Sequence, residues 1–299
     1  MKICAVVVTY NRLNKLKTAL KCYENQKFKP SHIIVVDNNS NDGTKDYLEK
    51  WSKKTCLQNS IISLEKNVGG SGGFYAGLKF SLNLDCDWIW ISDDDAFLDD
   101  DCLSILNEKG KLVANNVGAL CSSVYEDGKI ALAHRRLLSE KIFFKDKFVD
   151  ETKYNEDCFE LNLFTYVGTL LRKSALEDVG LPHNDFFIWY DDTEHSLRVN
   201  RKYKIVCYPK AIVKHDIVIN PNAQKLSWKS FYGYRNRLIT IKENCKKRIL
   251  FSEILLFKSK MVIDSFINRK RLNIKKDAYA AFKKGELGIS DVYFPGKKI

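Results

Sequence analysis

The chain has 299 residues, of which 45% are hydrophobic and 29% charged, so its composition excludes a disordered or fibrous protein. The net charge is +12, and residues 242–284 hold thirteen Lys and Arg against four Asp and Glu. A basic segment of this kind suits anionic lipid head groups, nucleic acid or simply solubility, and by itself it does not decide among the three.

Nine scattered cysteines form no CxxC pair, which argues against a thiolate zinc site and fits free thiols in a reducing cytoplasm. The sequence shows neither a secretory leader nor the ~20 consecutive apolar residues of a membrane-spanning helix. We therefore expect a cytoplasmic protein that is soluble or peripheral on the inner face of the cell membrane.

The first hundred residues alternate between short β-branched runs and amphipathic segments. Strands alternating with helices predict an α/β fold with an open, mostly parallel sheet that is flanked by helices on both faces. The predicted strands are 3–8, 33–36, 61–64 and 88–91. The predicted helices are 11–26, 41–53 and a third that runs from the glycines at 69–73 to about 84.

The segments that follow the four strands are all polar or rich in glycine. In parallel sheets, ligands bind beyond the carboxyl ends of the strands. The sequence therefore predicts one binding site at this edge of the sheet. The four segments are Thr9-Tyr10-Asn11-Arg12, Asp37-Asn38-Asn39-Ser40, Asn67-Val68-Gly69-Gly70 and Asp93-Asp94-Asp95.

Beyond residue 99 the pattern is looser, and residues 135–163 show no clear periodicity. After Leu226 the sequence is helical, with breaks around Asn244 and Asn268. The other predicted elements are a hairpin of 117–125 and 129–134, a strand at 164–171 and a helix at 192–201.

Two domains are predicted from this organisation. The first is an α/β domain over residues 1–225, with one half to about 115 and a second half from 116. The second is a basic helical extension over residues 226–299.

Three neighbouring carboxylates, Asp93-Asp94-Asp95, lie at the end of a strand of Trp and Ile. A divalent cation would relieve their mutual repulsion. The alternative is a solvated acidic turn that caps the next helix. His215, which follows a later predicted strand, is either a structural histidine or a further metal ligand.

Four glycines stand within residues 69–73, between a strand and a helix. Glycines at a helix N-terminus let backbone N–H groups approach a diphosphate, although neither GxGxxG nor GK[ST] is present. A flexible turn is the alternative. Asp37 would hold a ribose or a base edge, or with Ser40 it would only cap the helix that follows.

An aromatic and aliphatic run, residues 186–190, leads into Asp191, Asp192 and Glu194. A carboxylate at an apolar rim has a raised pKa and is a better proton acceptor. Trp189 offers a flat face to a sugar ring. A helix N-cap box is the alternative interpretation.

Apolar residues repeat at helical spacing in the basic C-terminal segment: Leu250, Ile254, Phe257 and Met261. This stripe would lie on a membrane of anionic lipid, pack back on the core, or form a contact in a homo-oligomer.

Five segments in fixed order resemble the family 2 glycosyltransferases, which have the GT-A fold: VVVTYNR, VVDNNSNDGT, NVGGSGGF, WISDDDA and WYDDTEHSLR. The resemblance runs from residue 3 to about residue 237. It implies inverting transfer of a sugar from a nucleotide-sugar donor, with Mn²⁺ or Mg²⁺ as cofactor.

The resemblance also implies a role for each matching residue. Those near the donor nucleotide are Thr9, Asn11, Arg12 and Asp37, the last of them on the uridine. Those near the diphosphate and ribose are Asn67, Gly69 and Gly70. The metal ligands would be Asp93, Asp95 and His215, with Asp94 beside them near the donor. Asp192 would be the general base, with Asp191 as its neighbour.

Within the family, the glycine-rich turn, the WYDD block and the downstream histidine are most similar to bacterial galactofuranosyltransferases, which implies UDP-galactofuranose as donor. Rhamnosyltransferases share segments like residues 232–236, so dTDP-rhamnose or another UDP-sugar stays open as the donor. The acceptor would be a saccharide or a lipid-linked saccharide of cell-surface polysaccharide synthesis. The extra domains of processive galactan polymerases are missing, which implies one or a few transfers. Nucleic acid is not expected as a partner, because the acidic clusters would repel its phosphates.

Overall fold

A computed structural model describes residues 1–217 and 226–298 of the chain. The helices within these residues are α1 (Leu13–Asn25), α2 (Thr44–Lys54), α3 (Gly69–Ser81), α4 (Cys102–Leu112), α5 (Lys173–Val179), α6 (Asp191–Lys202), α7 (Lys229–Asn244), α8 (Lys247–Ile267) and α9 (Arg269–Lys284). The strands are β1 (Ile3–Thr9), β2 (His32–Asp37), β3 (Asn59–Ser63), β4 (Trp88–Asp93), β5 (Ala96–Leu98), β6 (Val117–Glu126), β7 (Lys129–Ile130), β8 (Arg135–Ser139), β9 (Lys145–Phe148), β10 (Phe159–Leu161), β11 (Leu163–Phe164), β12 (Thr169–Arg172) and β13 (Lys204–His215).

The main sheet has the strand order β10-β13-β6-β12-β4-β1-β2-β3, with β5 and β7 attached to β13 and β6. Neighbours from β3 to β4 are parallel, and β13 is parallel to β6. β12 lies antiparallel between β4 and β6. The prediction of a mostly parallel α/β sheet is confirmed.

The continuous apolar run of β1 is explained by burial on both faces of the sheet. Ala5 and Val7 belong to one core cluster, and Val6 and Val8 belong to the cluster on the opposite face. Because helices cover both faces, no polar residue alternates along the strand. The register sets Val8 beside Asp93, so the carboxyl ends of β1 and β4 lie next to each other.

The predicted strand at 164–171 is interrupted: β11 ends at Phe164, and β12 begins only at Thr169. Phe164 belongs to β11 in a separate small sheet of order β11-β8-β9, and the main sheet resumes only at Thr169. Gly168, with φ +70, makes the turn between them, and a Cβ there would lie 2.2 Å from Ser122 Oγ. The buried Arg135 side chain donates to the carbonyls of Val167 and Gly168, which fixes this crossing between the two sheets.

The C-terminal helices pack on the rest of the molecule. Phe187 lies in one cluster with Phe231, Tyr232 and Ile274, so the segment before α6 is covered by α7 and α9. The predicted helix breaks agree with the ends of α7 and α8. The predicted domain boundary after residue 225 borders residues 218–225, which lie outside the described residues, and it remains a prediction.

The apolar stripe predicted in the basic segment faces inward. Leu250, Ile254 and Phe257 of α8 pack against Leu238 and Phe282, which belong to α7 and α9. Of the three interpretations offered for this stripe, packing on the core is the one observed. None of the helices in the described part of the chain has the length and apolarity needed to cross a bilayer.

Candidate functional site

A cleft of 810 Å³ opens at the carboxyl ends of β1 and β4. It brings together twelve of the fourteen residues that the sequence suggested for the site. They are Thr9, Arg12, Asn67, Gly69, Gly70, Asp93, Asp94, Asp95, Trp189, Asp191, Asp192 and His215.

Asn11 and Asp37 lie beside this cleft and do not line it. The Asn11 side-chain oxygen accepts the Asn41 N–H at 2.8 Å, and its backbone N–H donates to Ser40 Oγ at 2.9 Å. Asp37 is buried and accepts the Ser40 N–H at 3.0 Å. Asp37 therefore closes a turn with Ser40. The helix-capping role considered for the two residues is wrong, because α2 begins at Thr44 after Gly43 and has no side-chain cap. Contact of Asn11 or Asp37 with a nucleotide stays a prediction.

The aspartate triplet is held among cations and hydroxyls. Asp94 and Asp95 are only 2% and 3% exposed, so the interpretation as a solvated acidic turn is wrong. Arg12 Nη1 donates to both, at 3.2 Å to Asp94 and 2.5 Å to Asp95, and Thr9 Oγ1 donates to Asp94 at 2.7 Å. Burial and the neighbouring carboxylates raise the pKa of Asp93 to about 7. This repulsion is what a divalent cation would reduce.

A chain of polar side chains continues from the triplet along the cleft, where His215, His134 and Thr165 line it. His215 Nε2 lies 3.4 Å from Asp95 Oδ1, and its Nδ1 lies 2.8 Å from Glu126 Oε1. The same Glu126 oxygen lies 2.9 Å from Nε2 of His134, whose Nδ1 lies 2.6 Å from Thr165 Oγ1. The hydrogen bonds from His134 and His215 lower the pKa of Glu126 to about 2, which leaves an anion between two imidazoles.

Glu126, His134 and His215 each offer a ligand atom within 4.8 Å of the others and could share a divalent cation. A cation held by Asp93, Asp95 and His215 stays a prediction, supported by the 3.4 Å between His215 Nε2 and Asp95 Oδ1. Burial acts to lower the pKa of His215, but Asp95 and Glu126 raise it to about 9, so Nε2 holds a proton against Asp95. A cation bound there would replace this proton. Glu126, on the other ring nitrogen, would fix the imidazole as carboxylates do in many metal sites.

The segment before α6 is held in an unusual backbone conformation. Phe187, Trp189 and Tyr190 all have positive φ angles, between +65 and +73 degrees, which cost roughly 1–3 kcal/mol each. The side-chain amide of Asn236 donates to the carbonyls of Phe186, Ile188 and Trp189 at 2.9, 3.1 and 2.9 Å. Asn236 is fully buried, so one side chain satisfies three carbonyls of this turn.

Asp191 and Asp192 begin α6 directly after this turn. Burial, and then the charge of Asp192, raise the pKa of Asp191. Burial also raises the pKa of Asp192, although Arg136 and Thr193 oppose it. Asp192 Oδ1 accepts the Thr193 N–H at 2.5 Å inside the helix. The N-cap position is occupied by Tyr190 and has no side-chain hydrogen bond, so the N-cap box considered for Asp191 and Asp192 is wrong. Both carboxylates line the cleft.

Glycine at position 69 is required where the two halves of the cleft meet. Gly69 has φ +75, and a Cβ there would lie 1.9 Å from the carbonyl oxygen of Phe187. The Ser71 N–H donates to the same oxygen at 3.3 Å. At Gly70 a Cβ would have no neighbour within 4 Å. The glycine-rich turn is therefore tightly packed at Gly69 and open to the cleft at Gly70.

The model of the family described as Glycosyl transferase family 2 matches residues 4–180, more than half of the chain. The chain belongs to the family 2 glycosyltransferases. As a member of this family, it carries its aspartate triplet inside the matched region and its Asp191-Asp192 pair shortly after it.

Three known proteins illustrate the similarity. The galactofuranosyltransferase GlfT1 of Mycolicibacterium smegmatis is 27% identical over 201 residues, 67% of this chain and 65% of that protein. The dTDP-rhamnosyl transferase RfbF of Shigella flexneri is 26% identical over 263 residues, 81% of this chain and 80% of that protein. The structure of the mannosyltransferase PcManGT from Pyrobaculum calidifontis, in complex with GDP-Man and Mn²⁺, is similar at a TM-score of 0.57 and 17% identity, covering 95% of this chain and 75% of that one.

Two facts follow from these comparisons. The likeness to the solved structure establishes the GT-A fold of this glycosyltransferase. The aligned part of the chain covers less than two thirds of the length of GlfT1.

Several cleft residues of this glycosyltransferase were missed by sequence reasoning. Glu126 was placed only in a hairpin turn, and His134 at the end of its second strand. Arg136 lies in residues 135–163, where the sequence shows no clear periodicity, and its guanidinium group lies near Asp192. Lys229 lies near Arg12 at the start of α7, and burial and then Arg12 lower its pKa. The only sequence signal for Lys229 was its positive charge near the start of the basic C-terminal segment, and that signal does not point to the cleft.

Substitution of adjacent glycines should separate the packed position from the open one. We expect Gly69→Ala to lower the free energy of unfolding by about 1–3 kcal/mol, because it combines a positive φ with the clash at Phe187. Gly70→Ala, the matched control in α3, should be neutral or stabilise by up to about 1 kcal/mol. Urea unfolding followed by tryptophan fluorescence measures both, and equal stabilities would contradict the packing described.

Removing the charge behind His215 should weaken cation binding. We expect Glu126→Gln to bind Mn²⁺ roughly 10–100-fold more weakly, because its amide is a poorer partner for the imidazole N–H. Calorimetric titration with Mn²⁺ measures this without any substrate. Glu108→Gln on the exposed side of α4 is the control and should leave the affinity unchanged. Equal affinities of the Glu126 variant and the native protein would show that Glu126 does not support the site.

Proposed function

We propose that this glycosyltransferase is an inverting, metal-dependent enzyme that transfers galactofuranose from UDP-galactofuranose to a saccharide or lipid-linked saccharide in cell-surface polysaccharide synthesis. The observation that carries the proposal is the meeting of two carboxylate clusters, Asp93–Asp95 and Asp191–Asp192, in one cleft. The similarity to GlfT1 supports galactofuranose as the sugar.

A second candidate donor has support of its own. RfbF is described as a dTDP-rhamnosyl transferase, and the alignment with it covers more of both chains than the alignment with GlfT1. Rhamnose from dTDP-rhamnose is therefore the alternative donor sugar, and another UDP-hexose is the third.

We assign Asp192 as the general base. A raised pKa makes this carboxylate a stronger proton acceptor than an exposed aspartate. It would take the proton from the acceptor hydroxyl as that oxygen attacks the anomeric carbon. Burial, and then the charge of Asp192, raise the pKa of Asp191 as well, so the two carboxylates titrate as a coupled pair.

The donor end of the cleft is suited to a diphosphate. Arg12 and Lys229 supply positive charge, and the N-terminus of α3 at Gly70 supplies backbone N–H groups. A divalent cation held by Asp93, Asp95 and His215 would supply further charge to neutralise the leaving diphosphate. Mn²⁺ is favoured over Mg²⁺ because an imidazole is among the ligands.

Trp189 is placed to contact a sugar. Its side chain is 46% exposed and lines the cleft next to Asp191. A Cβ at Gly233 would lie 3.0 Å from Trp189 Cε3, so the glycine leaves room for the indole against α7. We propose that this flat apolar face stacks on the acceptor or donor ring.

Substitution of the proposed base should abolish transfer and preserve binding. We expect Asp192→Asn to lower kcat by at least ~10²–10⁴-fold, because the amide can still accept the Thr193 N–H but cannot take a proton. The dissociation constant for UDP should stay within about twofold. Asp100→Asn, an exposed control, should keep full activity.

The pH dependence of the native enzyme checks the same assignment. Because the pKa of Asp192 is raised, kcat should fall on the acid side with a midpoint above the ordinary aspartate pKa of about 3.9. A variant at Asp192 with near-native turnover would remove the residue from this role.

Donor choice is tested by nucleotide release. With Mn²⁺ present, release from UDP-galactofuranose should exceed release from dTDP-rhamnose and UDP-glucose by at least about tenfold, and EDTA should abolish it. A clear preference for dTDP-rhamnose would replace the first candidate by the second. Undiminished release in EDTA would contradict the metal dependence.

A further inference from the structure

The outward face of α8 is apolar although the inward face already packs on the core. Among the described residues, fifteen large hydrophobic side chains are exposed, and six of them belong to this one helix. The most exposed is Phe266 at 85%. We call these six residues the outer face of α8: Phe251, Leu255, Val262, Ile263, Phe266 and Ile267.

The spacing of the outer face matches the helical repeat. Phe251, Leu255, Val262 and Phe266 are four, seven and four residues apart, so they lie along one side of the helix. A helix that is apolar on both sides is normally buried on both sides. In the part of the chain that the structure describes, α7 and α9 cover only the inner side.

The exposed charges between residues 246 and 276 are of one sign. Residues 246–276 contain two acids, Glu253 and Asp264, and both are buried in ion pairs with Arg237 and Lys275 at 3.1 and 2.6 Å. The exposed charges of this stretch are therefore all positive. They are Lys246, Lys247, Arg248, Lys258, Lys260, Arg269, Lys270 and Lys276.

This combination selects among the surfaces that could cover α8. A second copy packed through the same face would bring the Lys and Arg residues at the ends of α8 close to those of the first copy, because the two halves of a two-fold interface are identical. An anionic lipid surface instead offers an apolar layer for the phenylalanines and phosphates for the lysines and arginines.

We propose that the outer face of α8 docks this protein on a membrane rich in anionic lipid. Phe251 and Phe266 enter the boundary between headgroups and acyl chains, and the cations around them contact lipid phosphates. α7 lies between α8 and α6, so the docked surface is one helix away from the Asp191-Asp192 turn. That placement suits an acceptor whose lipid is held in the same bilayer.

Binding of the full chain to vesicles tests the proposal without donor or acceptor, so its result is separate from transferase activity. We expect the protein to sediment with vesicles of phosphatidylcholine and phosphatidylglycerol at 3:2, at least tenfold more strongly than with phosphatidylcholine alone. Raising the salt from 0.1 to 0.5 M should weaken the binding.

Two double variants separate the apolar and electrostatic contributions. Phe251→Ser with Phe266→Ser should weaken partitioning about tenfold or more, because two aromatic side chains no longer leave water. Arg248→Gln with Arg269→Gln should weaken it on the order of tenfold, at about 1 kcal/mol for each cation near the surface. Leu112→Gln with Ile142→Gln changes two exposed apolar residues elsewhere and should have no effect.

Thermal unfolding checks that each variant is folded. We expect all of them to fold, because the substituted side chains are exposed. No sedimentation with the anionic vesicles would overturn the proposal, as would equal binding by the phenylalanine variant and the native protein. Sedimentation velocity that shows a dimer abolished by the same phenylalanine variant would assign the outer face to a second copy and also overturn it.

Discussion

Five carboxylates in one cleft impose the constraint on which the rest of the site depends. Asp93, Asp94 and Asp95 face Asp191 and Asp192 across the same space, and burial raises the pKa of four of them. Such a group is stable only if protons or cations reduce its charge. Arg12 and His215 do so at Asp95 in the protein alone, where they lower the pKa despite burial. In the proposed donor complex, a divalent cation would bring positive charge to the acids, and the diphosphate would bring negative charge to Arg12 and Lys229.

The second carboxylate pair depends on helices far along the chain. The turn before α6 has three residues with positive φ, and it persists because Asn236 and Arg235 of α7 donate to its carbonyls. Phe187 in the same turn is covered by side chains of α7 and α9. Gly69 admits the Phe187 carbonyl from the other side. The C-terminal helices therefore act on the position of Asp192 as directly as the sheet does.

The sequence predicted the parts of the site that follow regular strands. β1 and β4 are buried on both faces, so their apolar runs are continuous, and the polar residues after them mark the edge of the sheet. Glu126 and His134 were not predicted as site residues, because the sequence of a hairpin does not show which distant side chains its residues contact. The sequence predicted the inner stripe of α8 but not which way it faces. α8 also has apolar residues on its other side, so the pattern does not show which side is turned to the core. Asn236 was within a recognised segment, yet its partners lie about fifty residues away and satisfy backbone carbonyls, which no side-chain pattern reveals.

Helix α7 makes three contacts that connect the cleft with α8. Its first residue, Lys229, lines the cleft, Asn236 in its middle holds the turn before Asp191, and Leu238 packs in the cluster that contains the inner stripe of α8. A displacement of α8 would therefore be transmitted to the turn through side chains that are fully packed, because close-packed interiors pass on strain. The backbone of that turn is held in a costly conformation by three hydrogen bonds from a single amide. The turn directly before Asp191 and Asp192 is thus linked to α8 through the side chains of α7.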